Sequence, residues 1–396
     1  MRVLQLNSVC GHGSTGRISS DLFEILNSNH HDCLIAFGRG PATHSVNSVK
    51  FNFELDVYLH VLKTRVTDKH GFYSTRVTRK LIEIIKKFNP DIIHLHNLHG
   101  YYVNIDTLFN YLKTLNTPIV WTLHDCWTFT GHCAHFDYVG CSKWKTSCCK
   151  CPQKSAYPSS YKDNSYLNYI SKKDLFTSLS NLTIVTPSNW LAGLVKESFL
   201  NKYPLRVINN GIDLSLFKPT YGPYRKKYNI DDKFIVLGVA SYWNKQKGLD
   251  TFCNLAKELD ESFIIVLVGN VSTNKLPKNI LTLHSISNIS ELASIYSCAD
   301  VFVNPTLEDT FPTTNIEALA CGTPVITYKT GGSIESIDET CGLVVEKGDW
   351  VNLAKSIKLL KTRKNFESSS CILKSKLYNK YDRYNDYLNL YLSLLD

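Results

Sequence analysis

Two rhythms of apolar residues alternate along the chain. Residues 2–8 form an apolar/polar run that predicts a strand, and residues 17–26 carry their apolar side chains at helical spacing. The pair then repeats. Segments 33–37, 92–96, 119–123 and 183–186 read as strands, and 77–88, 105–115 and a capped stretch from Trp190 read as helices. Asn89-Pro90 closes the 77–88 helix, and Pro187-Ser188-Asn189 ends the strand before Trp190. In the second half, 234–240, 263–268, 280–283, 301–304 and 324–328 are strand-like, separated by helical patterns at 249–259, 289–298, 314–320 and 352–361. Such alternation predicts an α/β protein with two doubly wound parallel sheets. Sheets of this kind bind ligands beyond the carboxyl ends of their strands. Polar clusters stand at that position: His94 and His96, His124-Asp125, residues 241–247, and Glu308-Asp309.

The chain breaks at Tyr203-Pro204, and Asn209-Asn210-Gly211 reads as a turn. The expected division is therefore 1–203 and 204–377. A final helix, 378–396, sets Tyr381, Tyr384, Leu388, Tyr391 and Leu395 on one face. Its polar face is not strongly basic, which favours docking on a core over lying in a membrane interface.

Composition narrows the class. With 396 residues, 43% of them hydrophobic, the chain has apolar material for a large core, and its length suits two domains. No stretch reaches the roughly 20 apolar residues of a spanning helix. The first residues lack a basic n-region followed by an apolar h-region, so a cytoplasmic protein is expected. Residues 1–203 hold 22 Lys+Arg against 14 Asp+Glu, a net of +8; the other half holds 22 against 21, a net of +1. A basic half suits an anionic partner such as a lipid diphosphate, an anionic membrane face or a nucleic acid, or simply a solvated surface.

Six of the 13 cysteines fall between Cys126 and Cys151. Without an export signal, such a cluster is more often a metal site than a disulfide framework. Cys133, Cys141, Cys148 and Cys151 offer four thiolates for a tetrahedral structural zinc. Cys126 and Cys149 are then spare, and His132 or His135 could replace a ligand. Clustered free thiols or a redox disulfide is the alternative.

Two further segments carry chemistry. Gly11-His12-Gly13-Ser14-Thr15-Gly16 lies between a strand and a helix, where backbone N–H groups meet anions, although it matches neither the dinucleotide fingerprint nor a P-loop. From Asn304 to Ile326 a strand end runs into a loop bearing Glu308 and Asp309, and a helix starts near Thr313 or Thr314 with Glu317 on its first turn. Loop carboxylates accept hydroxyl hydrogen bonds, N–H groups at a helix start hold an anion, and Glu317 suits a vicinal diol. A sugar, a diphosphate and a ribose fit this set in a row.

Asp309 and Glu317, seven residues apart in the sense of E-x7-E, followed by Ala318-Leu319-Ala320-Cys321-Gly322-Thr323-Pro324-Val325, resemble the signature of retaining GT-B glycosyltransferases of family GT4. Ile208-Asn209-Asn210-Gly211-Ile212-Asp213 with Phe217-Lys218-Pro219, Lys245-Gln246-Lys247-Gly248, Asp91-Ile92-Ile93-His94-Leu95-His96-Asn97 and Thr122-Leu123-His124-Asp125 match that family in order. The cysteine-rich stretch 121–158 is most similar to glycosyltransferases of colanic acid and related exopolysaccharide clusters. The resemblance implies a GT-B fold: two Rossmann-like domains facing a cleft, the acceptor domain N-terminal, the nucleotide-sugar donor domain C-terminal, and helix 378–396 packed back on the first.

It also implies roles. Glu317 would bind the donor ribose, Lys247 would neutralise the leaving diphosphate, Asp309 would hold the transferred sugar, and His124 would stabilise the transition state beside it. Gly13, Gly16, Lys245, Glu308, Phe311, Thr313 and Thr314 complete the donor side; His70, His96 and Asn97 fall on the acceptor side. Three positions depart from the pattern: Asp309 stands where Glu is usual, with Glu308 beside it; Pro312 replaces a Gly; and no Arg precedes Lys247, leaving Lys245 as the second charge.

The function expected is a retaining hexosyltransferase with metal-independent catalysis. It would use a UDP- or GDP-sugar and a lipid-linked oligosaccharide of surface-polysaccharide biosynthesis, peripherally on the inner face of the membrane. Nucleic acid is not an expected partner. The rivals are a GT-B nucleotide-sugar epimerase, which needs no acceptor, and a zinc-stabilised nucleic-acid-binding protein, whose binding would fall steeply with salt.

Overall fold

The computed structural model describes the chain except residues 42–45, 272–274, 285, 287 and 364–365. It divides into two units, 1–209 with 381–396, and 210–380. The first holds strands β1 (Arg2–Asn7), β2 (Asp32–Phe37), β3 (Ser48–Lys50), β4 (Ile92–Leu95), β5 (Ile119–Thr122), β6 (Leu182–Thr186) and β7 (Leu205–Val207). They form one parallel sheet in the order β3-β2-β1-β4-β5-β6-β7.

Alternate side chains of a strand face opposite ways, so each sheet face has its own core. Val3, Ile35, Ile92, Val120 and Val185 pack with Ile18 and Leu22 of helix Gly13–Ser28 and with Tyr384, Leu388 and Tyr391 of helix Lys380–Leu395. Leu4, Leu6, Ile93, Trp121 and Ile184 pack with Leu81 and Ile85 of helix Thr75–Phe88 and Leu108 and Phe109 of helix Ile105–Leu112.

The second unit repeats the plan. Strands β8 (Phe234–Trp243), β9 (Phe263–Val271), β10 (Ile280–Leu283), β11 (Val301–Asn304), β12 (Val325–Tyr328) and β13 (Gly342–Val345) run parallel in the order β10-β9-β8-β11-β12-β13. Leu237, Val266 and Phe302 meet helices Ile289–Cys298 and Thr313–Ala320 on one face; Val236, Ile265 and Val303 meet helices Leu249–Glu258 and Trp350–Thr362 on the other.

Several expectations shift. The division falls after Asn209 rather than Tyr203, because Leu205–Val207 pairs with β6 and extends the first sheet. The first helix begins at Gly13, not Arg17, so Gly13 and Gly16 form its first turn. On the last helix the buried face is Tyr384, Tyr387, Leu388 and Tyr391, while Tyr381 and Leu395 are exposed. Helices Glu54–Thr67, Ser165–Phe176 and Ser368–Ser375 add to the predicted set.

Candidate active site

In both sheets the strand order reverses next to the first strand, between β1 and β4 and between β8 and β11. Connections leave such a switch point on opposite faces and open a crevice at the strand ends, where ligands bind. Each unit sets its polar residues there.

In the second unit the β8 and β11 loops are tied together. The N–H of Leu307 donates to the Gln246 carbonyl at 2.8 Å, and the Thr306 hydroxyl donates to the same oxygen at 3.3 Å. Gly248 makes this approach possible: at φ +83°, a Cβ there would stand 2.5 Å from the Pro305 carbonyl oxygen. The result is a contact between residues 62 apart in sequence, with Lys247 Nζ donating to Asp309 Oδ2 at 2.8 Å. Burial alone would lower the Lys247 pKa, but the charge and hydrogen bond of Asp309 and the charge of Glu308 outweigh it, and the net shift is upward. Lys247 is therefore a fixed cation, and its side chain stays 42% accessible.

Helix Thr313–Ala320 follows directly, with Pro312 at its N-cap and no side-chain cap, so Thr313 and Thr314 sit in the turn whose N–H groups lack helical partners. Asn315 anchors this start: its amide donates to Ser333 and Ser336, and its oxygen accepts from Asn304 at the end of β11. Glu317 is buried, and its carboxylate accepts from the Tyr296 hydroxyl at 2.9 Å. Phe311 is a core residue against Tyr378. Lys245 is exposed and Glu308 half-buried. Lys247 and Asp309 thus meet directly, with Glu317 on the adjoining helix turn.

In the first unit Gly11 and Gly13 take positive φ, and Gly16 lies so close to the loop that a Cβ would be 3.2 Å from the Gly11 nitrogen. Side-chain-free positions let the β1 loop fold tightly onto the helix start. Beside it the strand-end histidines form a directed chain. The Gln5 amide nitrogen donates to the Ser19 carbonyl, which turns Gln5 Oε1 toward His96 Nε2 at 3.0 Å. An amide oxygen only accepts, so His96 Nε2 carries the proton. Its Nδ1 then accepts from His124 Nε2 at 3.1 Å, leaving the lone pair of a neutral His124 on Nδ1. Burial lowers the His124 pKa to about 4, more than the charge of Asp125 raises it. His94 and His96 are also held well below the ordinary imidazole value, again chiefly by burial.

Asp125 accepts from His99 at 2.6 Å and from the Trp127 N–H at 2.9 Å. Burial raises its pKa, but the charge and hydrogen bond of His99, with further help from His135 and the Trp127 N–H, prevail and hold it at about 2. His70 is buried among aromatic rings, its Nε2 accepting from the Gly100 N–H, and Asn97 is half-buried, its carbonyl accepting from the Tyr102 hydroxyl. Tyr391 and Tyr387 reach the histidine row from the C-terminal helix, to His94 Nδ1 at 2.6 Å and to the Thr122 hydroxyl at 3.0 Å. Nothing local in the sequence pairs residues 297 apart.

Cys133, Cys141, Cys148 and Cys151 line one small cavity together with His132. The thiols of Cys133 and Cys151 share a hydrogen bond, and Cys148 Sγ accepts from the Gly131 N–H. Among the described residues no group of three or more His, Cys, Asp or Glu side chains is placed so that it could hold a metal ion.

Comparison with known proteins agrees with this architecture. Residues 20–216 match the Glycosyltransferase Family 4 model, and residues 222–373 match Glycosyl transferases group 1. A putative colanic acid biosynthesis glycosyl transferase, WcaC of Escherichia coli K12, is 26% identical over 287 residues, 69% of this chain and 68% of that one. An N,N'-diacetylbacillosaminyl-diphospho-undecaprenol alpha-1,3-N-acetylgalactosaminyltransferase of Campylobacter jejuni is 31% identical over 163 residues, 38% of this chain and 43% of that one. Among solved structures, Anabaena HepE in complex with UDP-glucose superposes with a TM-score of 0.69 at 15% identity, over 99% of this chain and all of that one. Two parallel α/β sheets with these two matches define a glycosyltransferase of the GT-B fold. The chain belongs to family GT4.

Proposed function

We propose that this enzyme is a retaining, metal-independent hexosyltransferase of surface-polysaccharide assembly. It would move a sugar from a nucleoside diphosphate, UDP in the first instance, to an oligosaccharide on a polyprenyl diphosphate. The observation that carries the reading is the Lys247–Asp309 contact at the β8/β11 switch point. Cleaving the anomeric bond sends its electron pair to the diphosphate oxygen, and a preorganised cation with nearby helix N–H groups stabilises the charge that develops there. Lys247 and the start of helix Thr313–Ala320 supply both. Asp309, bonded to Lys247, orients the ammonium and accepts hydroxyls of the sugar. Glu317 takes the ribose diol, and the neutral His124 accepts a sugar hydroxyl at Nδ1. The acceptor oxygen bonds to the anomeric carbon on the face that the diphosphate leaves, and its proton passes to the departing phosphate oxygen.

The colanic acid relative supports the polysaccharide setting, the UDP-glucose complex supports the donor, and the diphospho-undecaprenol relative supports the acceptor. No described helix is long and apolar enough to cross a membrane. Helix Glu54–Thr67, however, turns Leu55, Tyr58, Leu59, Leu62 and Val66 outward, with Lys63 and Arg65 toward its C-terminal end and Glu54 and Asp56 in its first turn. A contiguous exposed apolar stripe with flanking cations suits an anionic lipid surface, and we assign peripheral attachment at the inner face of the membrane to it.

The test is incubation of the purified protein with UDP-sugars and polyprenyl-diphosphate saccharides, following UDP release and the anomeric configuration of the product by NMR. Transfer with retention is expected. Inverted product, or an epimerised sugar formed without acceptor, would overturn the proposal.

A further inference from the structure

Past the ends of β4 and β5, three side chains form a directed chain that ends at solvent. Asp125, a carboxylate at neutral pH, accepts from His99 Nε2 at 2.6 Å. A carboxylate only accepts, so the ring proton sits on Nε2. His99 Nδ1 lies 2.9 Å from the Tyr157 hydroxyl, and on a neutral ring that nitrogen can only accept. The Tyr157 proton therefore points at His99, and the lone pairs of its oxygen are left over. The contact is open to solvent, and Tyr157 is 43% exposed. Among the described residues the phenol oxygen makes this one hydrogen bond. A hydroxyl that donates into such a chain becomes a better acceptor, because each hydrogen bond polarises the next. The complementary group is a donor, such as another hydroxyl.

The surroundings suit a sugar. Tyr101 stands across from Tyr157, with ring centroids 5.9 Å apart and planes at 84°. Its backbone is left-handed at φ +65°, an uncommon and costly conformation for a bulky residue, and Gly100 before it is at φ +114°. Two contacts hold the loop there. The Gly100 N–H donates to His70 Nε2, and the His70 ring packs on the Tyr101 ring at 4.4 Å. Strained positions of this kind cluster at ligand-binding sites, where they place a side chain for use. Two aromatic rings at right angles, one with a directed oxygen, match a pyranose, which has apolar C–H faces and a rim of hydroxyl donors. Asp125 follows His124 directly, so this corner adjoins the strand end that carries His124.

We propose that Tyr157 and Tyr101 form the acceptor-saccharide subsite of the enzyme, with the Tyr157 oxygen accepting a sugar hydroxyl and with His99 and Asp125 as its positioning residues. The inference rests on the function proposed above and names the residues that meet its acceptor. It moves that role away from His70, which is buried and supports the Tyr101 ring.

The experiment uses polyprenyl-diphosphate saccharides in two assays: transfer from UDP-glucose, and calorimetric titration onto the UDP-bound protein, which reads binding without turnover. Tyr157→Phe should raise the acceptor KM and Kd about three- to tenfold, the equivalent of one hydrogen bond, with a much smaller change in kcat. Asp125→Asn is the sharper variant. Its oxygen keeps the Trp127 N–H, so its amide nitrogen donates to His99 Nε2 and moves the ring proton to Nδ1. That proton then occupies a Tyr157 lone pair, and saccharide affinity should fall as in Tyr157→Phe although the phenol is still present. Nitrogen-15 NMR of the imidazoles reads the tautomer switch in the folded variant. Combining the two substitutions should add little, because both remove the same hydrogen bond. Unchanged saccharide affinity in Tyr157→Phe and Tyr101→Ala, or losses that add in the double variant, overturns the subsite. Binding that depends on Tyr157 without transfer by the unmutated protein keeps the subsite and overturns the proposed function. Transfer with binding indifferent to Tyr157 does the reverse, and neither binding nor transfer overturns both.

Discussion

Lys247 and Asp309 illustrate how little a residue's stability contribution says about its role. The pair is partly accessible, at 42% and 19%, and such contacts contribute about 0–1 kcal/mol to folding. In the proposed reaction its value lies in a cation set in place before negative charge develops. Lys247→Ala should therefore lower kcat about 10²–10³-fold while shifting the melting temperature by only a few degrees, read from initial rates and thermal melts on the same sample. A large loss of stability with near-normal kcat would count against the assignment. Both residues were legible in the sequence, since Lys-Gly after a strand and a carboxylate loop before a helix are local patterns. Their 2.8 Å contact was not, because it depends on β8 and β11 being neighbours. His132 shows the converse. It was read as a substitute ligand beside four cysteines, and only Asp68, 64 residues away, fixes its tautomer.

Loops and strand ends decide the geometry at the next scale. Gly331, at φ +53°, abuts the Asp309 loop so closely that a Cβ would fall 1.8 Å from the Asp309 carbonyl oxygen. Gly331→Ala should displace Asp309 and depress kcat, with a left-handed backbone penalty of about 1–2 kcal/mol. Gly348→Ala is the control: φ is +84° but the space beyond is open, so it should show the penalty without the catalytic defect.

The buried histidines predict an acid limit. His60, His70, His94, His96 and His124 all have lowered pKa values, mainly from burial, with His60 at about 3 and His124 at about 4. Between those values and the unfolded value of 6.5 the unfolded chain binds more protons, so stability rises with pH. The stabilisation is complete above pH 6.5 and is lost as pH falls toward 4 and below. Each histidine contributes up to about 1.4 kcal/mol per pH unit within its window. Urea titrations at pH 7, 6 and 5 check this; a flat midpoint would refute the buried neutral row.

For the whole molecule, the +8 of residues 1–203 and the apolar stripe of helix Glu54–Thr67 make one prediction. The protein should sediment with vesicles containing anionic lipid and much less with neutral ones. Binding should weaken with salt, and Leu59→Asp with Leu62→Asp should abolish it without lowering the melting temperature. That helix escaped the sequence reading for a physical reason. Its buried face is Val57, His60 and Thr64, while its leucines face outward, so hydrophobic periodicity points the wrong way. The same cause turned the last helix, where Tyr387 is buried and Tyr381 exposed.

By itself the sequence determined the strand–helix alternation, the doubly wound class and the local identity of the groups proposed to bind anions and hydroxyls. All of these follow from spacing within a few residues, where backbone geometry leaves few choices. Tertiary structure alone decided which strands are neighbours, where the first unit ends, which nitrogen of His124 keeps its lone pair, and which face of an amphipathic helix is inside. Each of these depends on a partner tens or hundreds of residues away, and only the packed sheets and their hydrogen bonds choose that partner.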